Sequence, residues 1–260
     1  MKDLRVAAVQ MISGPDVAAN LATAGRLVAA AVAQGAQLVV LPEYFPLIGA
    51  TDADRLAARE RVGEGPIQDF LADCAREHRI WLVGGSIPTH ADDAHKLRNT
   101  CLVFDDAGRQ VARYDKIHLF GFARGEERYD EAATIEAGGL PVAFESPWGR
   151  IGLGICYDLR FPELFRAMRE PDLIILPGSK ATVLGQGGLE AAVVRQQCRE
   201  RRAARGRLVD AQEDGFRGVP PHLLDVVHRG GGLGAAQAVG QAIEVEVQVR
   251  EGIGDDRVAG

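Results

Sequence analysis

With 260 residues, 47% of them hydrophobic, and a net charge of −6, the chain can bury a substantial α/β core and has no general electrostatic reason to hold nucleic acid or an anionic membrane. No apolar run approaches bilayer length, the opening Met1-Lys2-Asp3-Leu4-Arg5 lacks the apolar stretch of a signal peptide, and the four cysteines form no Cys-x-x-Cys pair. These features predict an acidic enzyme with reduced thiols, cytoplasmic, with neither nucleic-acid nor membrane partners.

Residues 4–11 alternate like a strand, and Asp16 then stands where an N-cap precedes a helix with Val17, Leu21, Val28 and Val32 on its apolar face. Gly35 is the expected helix stop, and residues 38–41 read as a strand covered on both faces. Pro66 fits the first turn of a second helix, with Ile67, Phe70, Leu71 and Cys74 at helical spacing, before residues 80–84 return to an apolar strand. Residues 99–104 and 109–114 flank the turn-forming Asp105-Asp106-Ala107-Gly108, which predicts a hairpin. A second pair, 142–145 and 150–155, flanks Ser146-Pro147-Trp148-Gly149, and Pro162 opens a further helix. Helices mixed with hairpins predict a layered α/β domain with mixed sheets.

Three of these apolar runs end in a residue with chemical use. Leu38-Val39-Val40-Leu41-Pro42 leads into Glu43, Val111-Ala112-Arg113-Tyr114-Asp115 into Lys116, and the strand over 150–155 into Cys156. In open α/β sheets catalytic groups gather at strand carboxyl ends. A cysteine at a strand-to-helix junction can project from a sharp turn beside backbone N–H groups that stabilise negative charge. Alone, Cys156 would read as a small buried hydrophobe, Glu43 as a hydrated carboxylate and Lys116 as a solvated charge; their joint placement favours a site.

The segments Leu-Pro-Glu-Tyr (41–44), Tyr-Asp-Lys-Ile-His-Leu-Phe (114–120) and Cys-Tyr-Asp-Leu-Arg-Phe-Pro-Glu-Leu (156–164) resemble, in order and spacing, the Glu–Lys–Cys signature of the carbon-nitrogen hydrolase (nitrilase) superfamily. Within it they are most similar to the small amidases that include omega-amidase and deaminated glutathione amidase. The resemblance implies a four-layer α-β-β-α sandwich that pairs with a second copy as a homodimer. It implies hydrolysis of a small linear amide through a cysteine thioester, with release of ammonia. Cys156 would be the nucleophile, Glu43 the general base, and Lys116 the oxyanion stabiliser together with the backbone N–H of Tyr157. The segment from Tyr129 to Gly138 resembles the one that supplies a second glutamate; Glu131 matches best, with Glu126, Glu127 and Glu136 as neighbouring rivals. A nitrilase, a carbamoyl-amide hydrolase and a catalytically defective relative are the alternative readings.

Cys74 and Cys101 fall on an apolar helix face and in a strand, so both read as core. His78, His90, His95 and His118 lack metal-ligand spacing, and neither a metal nor another cofactor is expected. Gly230-Gly231-Gly232-Leu233-Gly234 has no preceding strand and no following Lys-Ser/Thr, so it reads as a loop rather than a phosphate cradle.

The motif likeness ends near residue 178, where the family's Trp-Glu helix and Pro-Trp-Gly turn find no counterpart. Residues 195–207 carry arginines on every helical face and read as a solvated segment, while residues 242–250 alternate as a strand. The chain therefore divides into residues 1–179, which bear the motifs, and a divergent part, 180–260, which reads as out of the ancestral frame or partly disordered.

Overall fold

The computed structural model describes residues 2–49, 51–125, 127–179, 189–195 and 242–249. Strand β1 (Lys2–Val9) leads to helix α1 (Val17–Ala33), whose first turn is capped by Asp16 Oδ1 accepting from the Ala19 N–H at 3.1 Å. Gln34 caps its end, and Gly35 follows at φ +96°, where the chain turns back toward β2 (Leu38–Val40). The short α2 (Asp52–Ala57) and α3 (Pro66–His78) come next, α3 starting on the predicted proline.

Strands β3 (Trp81–Val83), β4 (Ile87–His90), β5 (Leu97–Phe104) and β6 (Gln110–Asp115) complete one side of the molecule. The β5–β6 turn is the predicted Asp105–Gly108 cluster: Asp105 Oδ1 accepts from the N–H groups of Ala107 and Arg109, at 3.0 and 2.9 Å. The hairpin β7 (Gly121–Arg124) and β8 (Glu127–Asp130) stands apart as a two-stranded sheet. Strands β9 (Val142–Ser146) and β10 (Gly149–Leu153), helix α4 (Pro162–Ala167), and strands β11 (Leu173–Ser179), β12 (Leu189–Arg195) and β13 (Ala242–Val249) complete the order.

Two mixed sheets result. The larger runs β13-β1-β2-β3-β5-β4, with β6 also on β5; β1, β2 and β3 are parallel and the other pairs antiparallel. The smaller runs β12-β11-β10-β9, with only β10 and β11 parallel. Strands β12 and β13 extend one sheet each, and β13 matches the alternation read over residues 242–250. The arginine-rich segment after Arg195, read as solvated, and the loop at 230–234 lie outside the described residues.

Strand alternation assigns the faces of the larger sheet. Ala7, Val9, Val39, Leu41, Leu82 and Leu102 face α1 and α3, meeting Val28, Ile67 and Leu71. Leu4, Val6, Leu38, Val40, Val83 and Val103 point the other way and share a core with Ile151, Leu153 and Ile175 of the smaller sheet. Trp81 joins the layers by stacking on Phe144 with centroids 6.0 Å apart. On the far face of β10, a Cβ at Gly152 would stand 2.7 Å from Met168 Sδ, which shows how closely the α4 segment seats there. The layer order is therefore α-β-β-α, as expected. Among the described residues, no helix is long and apolar enough to cross a membrane.

Several elements were not anticipated. Strand β4 contains Pro88 and lies at the sheet edge, where a residue without an N–H is tolerated. Helix α2 is only six residues long, and the β7–β8 hairpin is mostly exposed, so neither carries a strong apolar period.

Candidate active site

The three chemically useful residues follow β2, β6 and β10. They do not follow consecutive strands, but β2 and β6 belong to the larger sheet and β10 to the smaller. The site therefore lies where the inter-sheet core ends. Glu43 and Lys116 are each only 1% exposed and Glu131 6%, a concentration of buried charge that requires pairing.

Lys116 Nζ supplies that pairing. It donates to Glu43 Oε1 at 3.0 Å and to Glu131 Oε1 and Oε2 at 3.1 and 3.0 Å. The Asn99 side-chain amide also donates to Glu43 Oε1, at 2.9 Å, while the Asn99 carbonyl accepts from the Lys116 N–H at 2.9 Å. Asn99 thus fixes both partners, a role the sequence reading missed because a polar residue in a buried strand shows no local motif.

Burial favours a neutral amine at Lys116, but Glu43 and Glu131 outweigh it and hold the ammonium well above the usual lysine range; a Cys156 thiolate adds to that pull. For Glu131 the balance is reversed. Burial, with the Glu43 charge added, raises its carboxyl above the ordinary glutamate value despite Lys116 and the Phe120 N–H. One ammonium between two buried carboxylates cannot fully compensate both.

Local backbone geometry aims these groups. Tyr44, directly after Glu43, is left-handed at φ +54°, and its N–H donates to Ser86 Oγ at 3.1 Å. Gly85 makes this approach possible, since a Cβ there would lie 2.1 Å from the Pro42 carbonyl oxygen. Gly138 similarly packs on the Lys116 segment: its N–H donates to the Lys116 carbonyl at 2.8 Å, and a Cβ would meet the Asp115 oxygen at 2.2 Å.

Cys156 begins a 3-10 turn, Cys156–Arg160, at φ +48°. A non-glycine residue held left-handed costs roughly 1–2 kcal/mol, and such strain gathers where a side chain must project in a particular direction. Cys156 is half-buried, whereas Cys74 and Cys101 are buried with thiol pKa values pushed up by burial, to about 11 for Cys74. The Tyr157 ring packs edge-on against Phe120 at 5.2 Å and Phe161 at 5.4 Å.

Glu131 opens the short helix Glu131–Ala133 after β8, and its Oε2 accepts from the Phe120 N–H at 2.7 Å. Of its rivals, Glu136 pairs with Arg98, Glu127 is exposed, and Glu126 lies outside the described residues. His118 donates its backbone N–H to Asp158 Oδ1 at 3.0 Å and places its Nδ1 2.7 Å from the same oxygen. Among the described residues, no group of three His, Cys, Asp or Glu side chains could hold a metal ion. A thiol, a carboxylate and a fixed ammonium at one place are the parts nucleophilic acyl transfer uses.

Comparison with known proteins identifies the family. The Carbon-nitrogen hydrolase family model matches residues 5–205, past residue 178, where the motif likeness ends. The omega-amidase of Danio rerio is 37% identical over 215 residues, covering 82% of this chain and 72% of the relative. The deaminated glutathione amidase of Yersinia enterocolitica is 34% identical over 207 residues, covering 76% of this chain and 72% of the relative. The chain spans only 64% of the length of several other omega-amidases it matches. The amidase of Nesterenkonia sp. AN1, a nitrilase-superfamily protein captured with acrylamide added to its active-site cysteine, superposes with a TM-score of 0.58 at 28% identity, covering 67% of this chain and 66% of that one. The chain belongs to the carbon-nitrogen hydrolase family.

Proposed function

We propose that this chain is an amidase that hydrolyses the C–N bond of a small linear amide, such as the side-chain amide of an alpha-keto acid, to a carboxylate and ammonia. The observation that carries the reading is the buried Glu43–Lys116–Glu131 group, with Cys156 on a strained turn within reach of the Lys116 charge. Its relatives are named as amidases, and a mutant of one of them carries acrylamide added to its active-site cysteine.

Cys156 Sγ loses its proton to Glu43 and attacks the amide carbon. Lys116 and the Tyr157 N–H stabilise the oxyanion, and Glu43 returns the proton to the departing ammonia as the C–N bond breaks. Water, deprotonated by Glu43, then opens the thioester and frees the thiol. Glu131 keeps Lys116 charged and positioned throughout. The reaction calls on no metal or other cofactor; the protein works as a cytoplasmic homodimer.

A panel of such amides, assayed for ammonia release with the unmodified protein and Cys156→Ala, tests the reading. Turnover that disappears in the variant supports it; absence of turnover from folded protein, or turnover that survives the substitution, overturns it. We place the catalytic motifs in residues 1–179 and read 180–260 as a divergent part, out of the ancestral frame beyond the family match that ends at residue 205. Resequencing the gene and translating its other frames tests that division, which fails if no Trp-Glu and Pro-Trp-Gly segments are recovered.

A further inference from the structure

Asp158 takes no part in the reaction above, yet it is fully buried and accepts from four donors. Its Oδ2 receives the Tyr114 hydroxyl at 2.7 Å and the Ile155 N–H at 2.8 Å. Its Oδ1 receives the His118 N–H at 3.0 Å and meets His118 Nδ1 at 2.7 Å. An ionised carboxylate offers about four acceptor sites and no donor, so these partners fill its capacity when Nδ1 carries the proton. Phe161 stacks face to face on the His118 ring at 3.7 Å, fixing the imidazole from its other side.

These bonds cross between the two sheets. Tyr114 and His118 flank Lys116 on the side of the larger sheet, and Ile155 and Asp158 flank Cys156 on the side of the smaller. The Asp158 N–H also donates to the Ile155 carbonyl at 3.1 Å, so the backbone on both sides of Cys156 is closed into one ring. That ring encloses the left-handed φ of Cys156.

We infer that Asp158, acting with His118, is a positioning residue that clamps the two sheets together at the site and sets the placement of the Cys156 thiol relative to Lys116. The inference rests on the amidase reading for its catalytic consequence, but the clamp itself is visible without turnover. An asparagine at 158 would turn its amide nitrogen toward an obligate backbone donor whichever way it flipped, the Ile155 N–H on one side or the His118 N–H on the other, so one arm of the clamp must open.

The test compares Asp158→Asn, His118→Ala and His118→Asn with the unmodified full chain. Two rates are followed: amide turnover, and iodoacetamide alkylation of the Cys156 peptide read by mass spectrometry. Misplacement of reacting groups by about 1 Å costs on the order of 100-fold. Asp158→Asn should lower kcat about 100-fold and His118→Ala about tenfold, with KM changed less than about threefold, and both should slow Cys156 alkylation. His118→Asn, whose amide nitrogen can stand near the position of Nδ1, should restore most of both rates. If Asp158→Asn does not fold, the His118 pair decides alone. Unchanged kcat and alkylation in folded variants, a loss confined to KM, or failure of His118→Asn to rescue would overturn the clamp. Absence of turnover from the unmodified protein would overturn the amidase reading, while the alkylation rates would still decide the clamp.

Discussion

The larger sheet buries two unlike faces. Toward α1 and α3 it presents Ala7, Val9, Val39, Leu41, Leu82 and Leu102 to other apolar side chains. Toward the smaller sheet it begins in the same way, with Leu4, Val6, Leu38 and Val40, but at the strand ends the apolar contacts give way to Glu43, Lys116, Glu131 and Asp158. The first face obeys the rule that cores are apolar; the second breaks it within a few residues of the Cys156 thiol. Burying those charges stabilises little by itself, because desolvation offsets most of the Coulombic gain. Stability therefore comes mainly from the shared apolar cores, whereas the polar end supplies oriented groups.

Substitutions on the two faces should separate stability from catalysis. The largest combined effect is expected from Lys116→Met, which leaves Glu43 and Glu131 buried without their shared ammonium. Urea unfolding should show a loss of about 3–5 kcal/mol, and amide turnover should vanish. Leu71→Ala, on the helix-facing side where Leu71 packs over Gly84, should cost a comparable 2–5 kcal/mol, roughly, through the cavity it leaves. Its kcat per folded molecule should stay unchanged; a large drop would show that the two faces are not functionally distinct.

Asn99→Ala should have a smaller effect on both scales. Losing the donation to Glu43 Oε1 removes a hydrogen bond to a charged group, worth about 1.5–3 kcal/mol. Steady-state kinetics should show kcat lowered more than KM is raised, because Asn99 orients the base and touches no substrate in this mechanism.

The smallest expected effect concerns pH. Glu131 has a raised folded pKa, so its contribution to stability is fully present below the ordinary glutamate value of 4.5 and fades as pH rises through the folded value. Glu131→Gln stays neutral and should lack that decline. Denaturant midpoints followed from below pH 4.5 toward neutrality should thus shift in favour of the variant with rising pH. A shift in the opposite direction would mean that Lys116 outweighs burial at Glu131.

The same contrast explains what could be read from the sequence. The Asp16 cap, the α3 start at Pro66 and the β5–β6 turn each follow from local chemistry, and the structure has them at those places. Glu43, Lys116 and Cys156 were legible as candidates because each follows a strand and stands in a recognisable motif, and Glu131 because of its matching segment. Asn99 and Asp158 were not assigned roles. Asn99 lies inside an otherwise apolar strand, and Asp158, although in the cysteine motif, finds its donors at Tyr114 and His118, some forty residues earlier in the chain. Partnerships of that kind depend on how two sheets face each other, which periodicity does not encode.

The account depends most on Cys156 being the acylated nucleophile at the end of the inter-sheet core. Mass spectrometry of the Cys156 peptide, quenched during turnover of an amide that releases ammonia, measures this directly. The account predicts a mass increase equal to the acyl group on that peptide, lost again when substrate is exhausted. Ammonia release with an unmodified Cys156 peptide and an acyl group on another residue would contradict it.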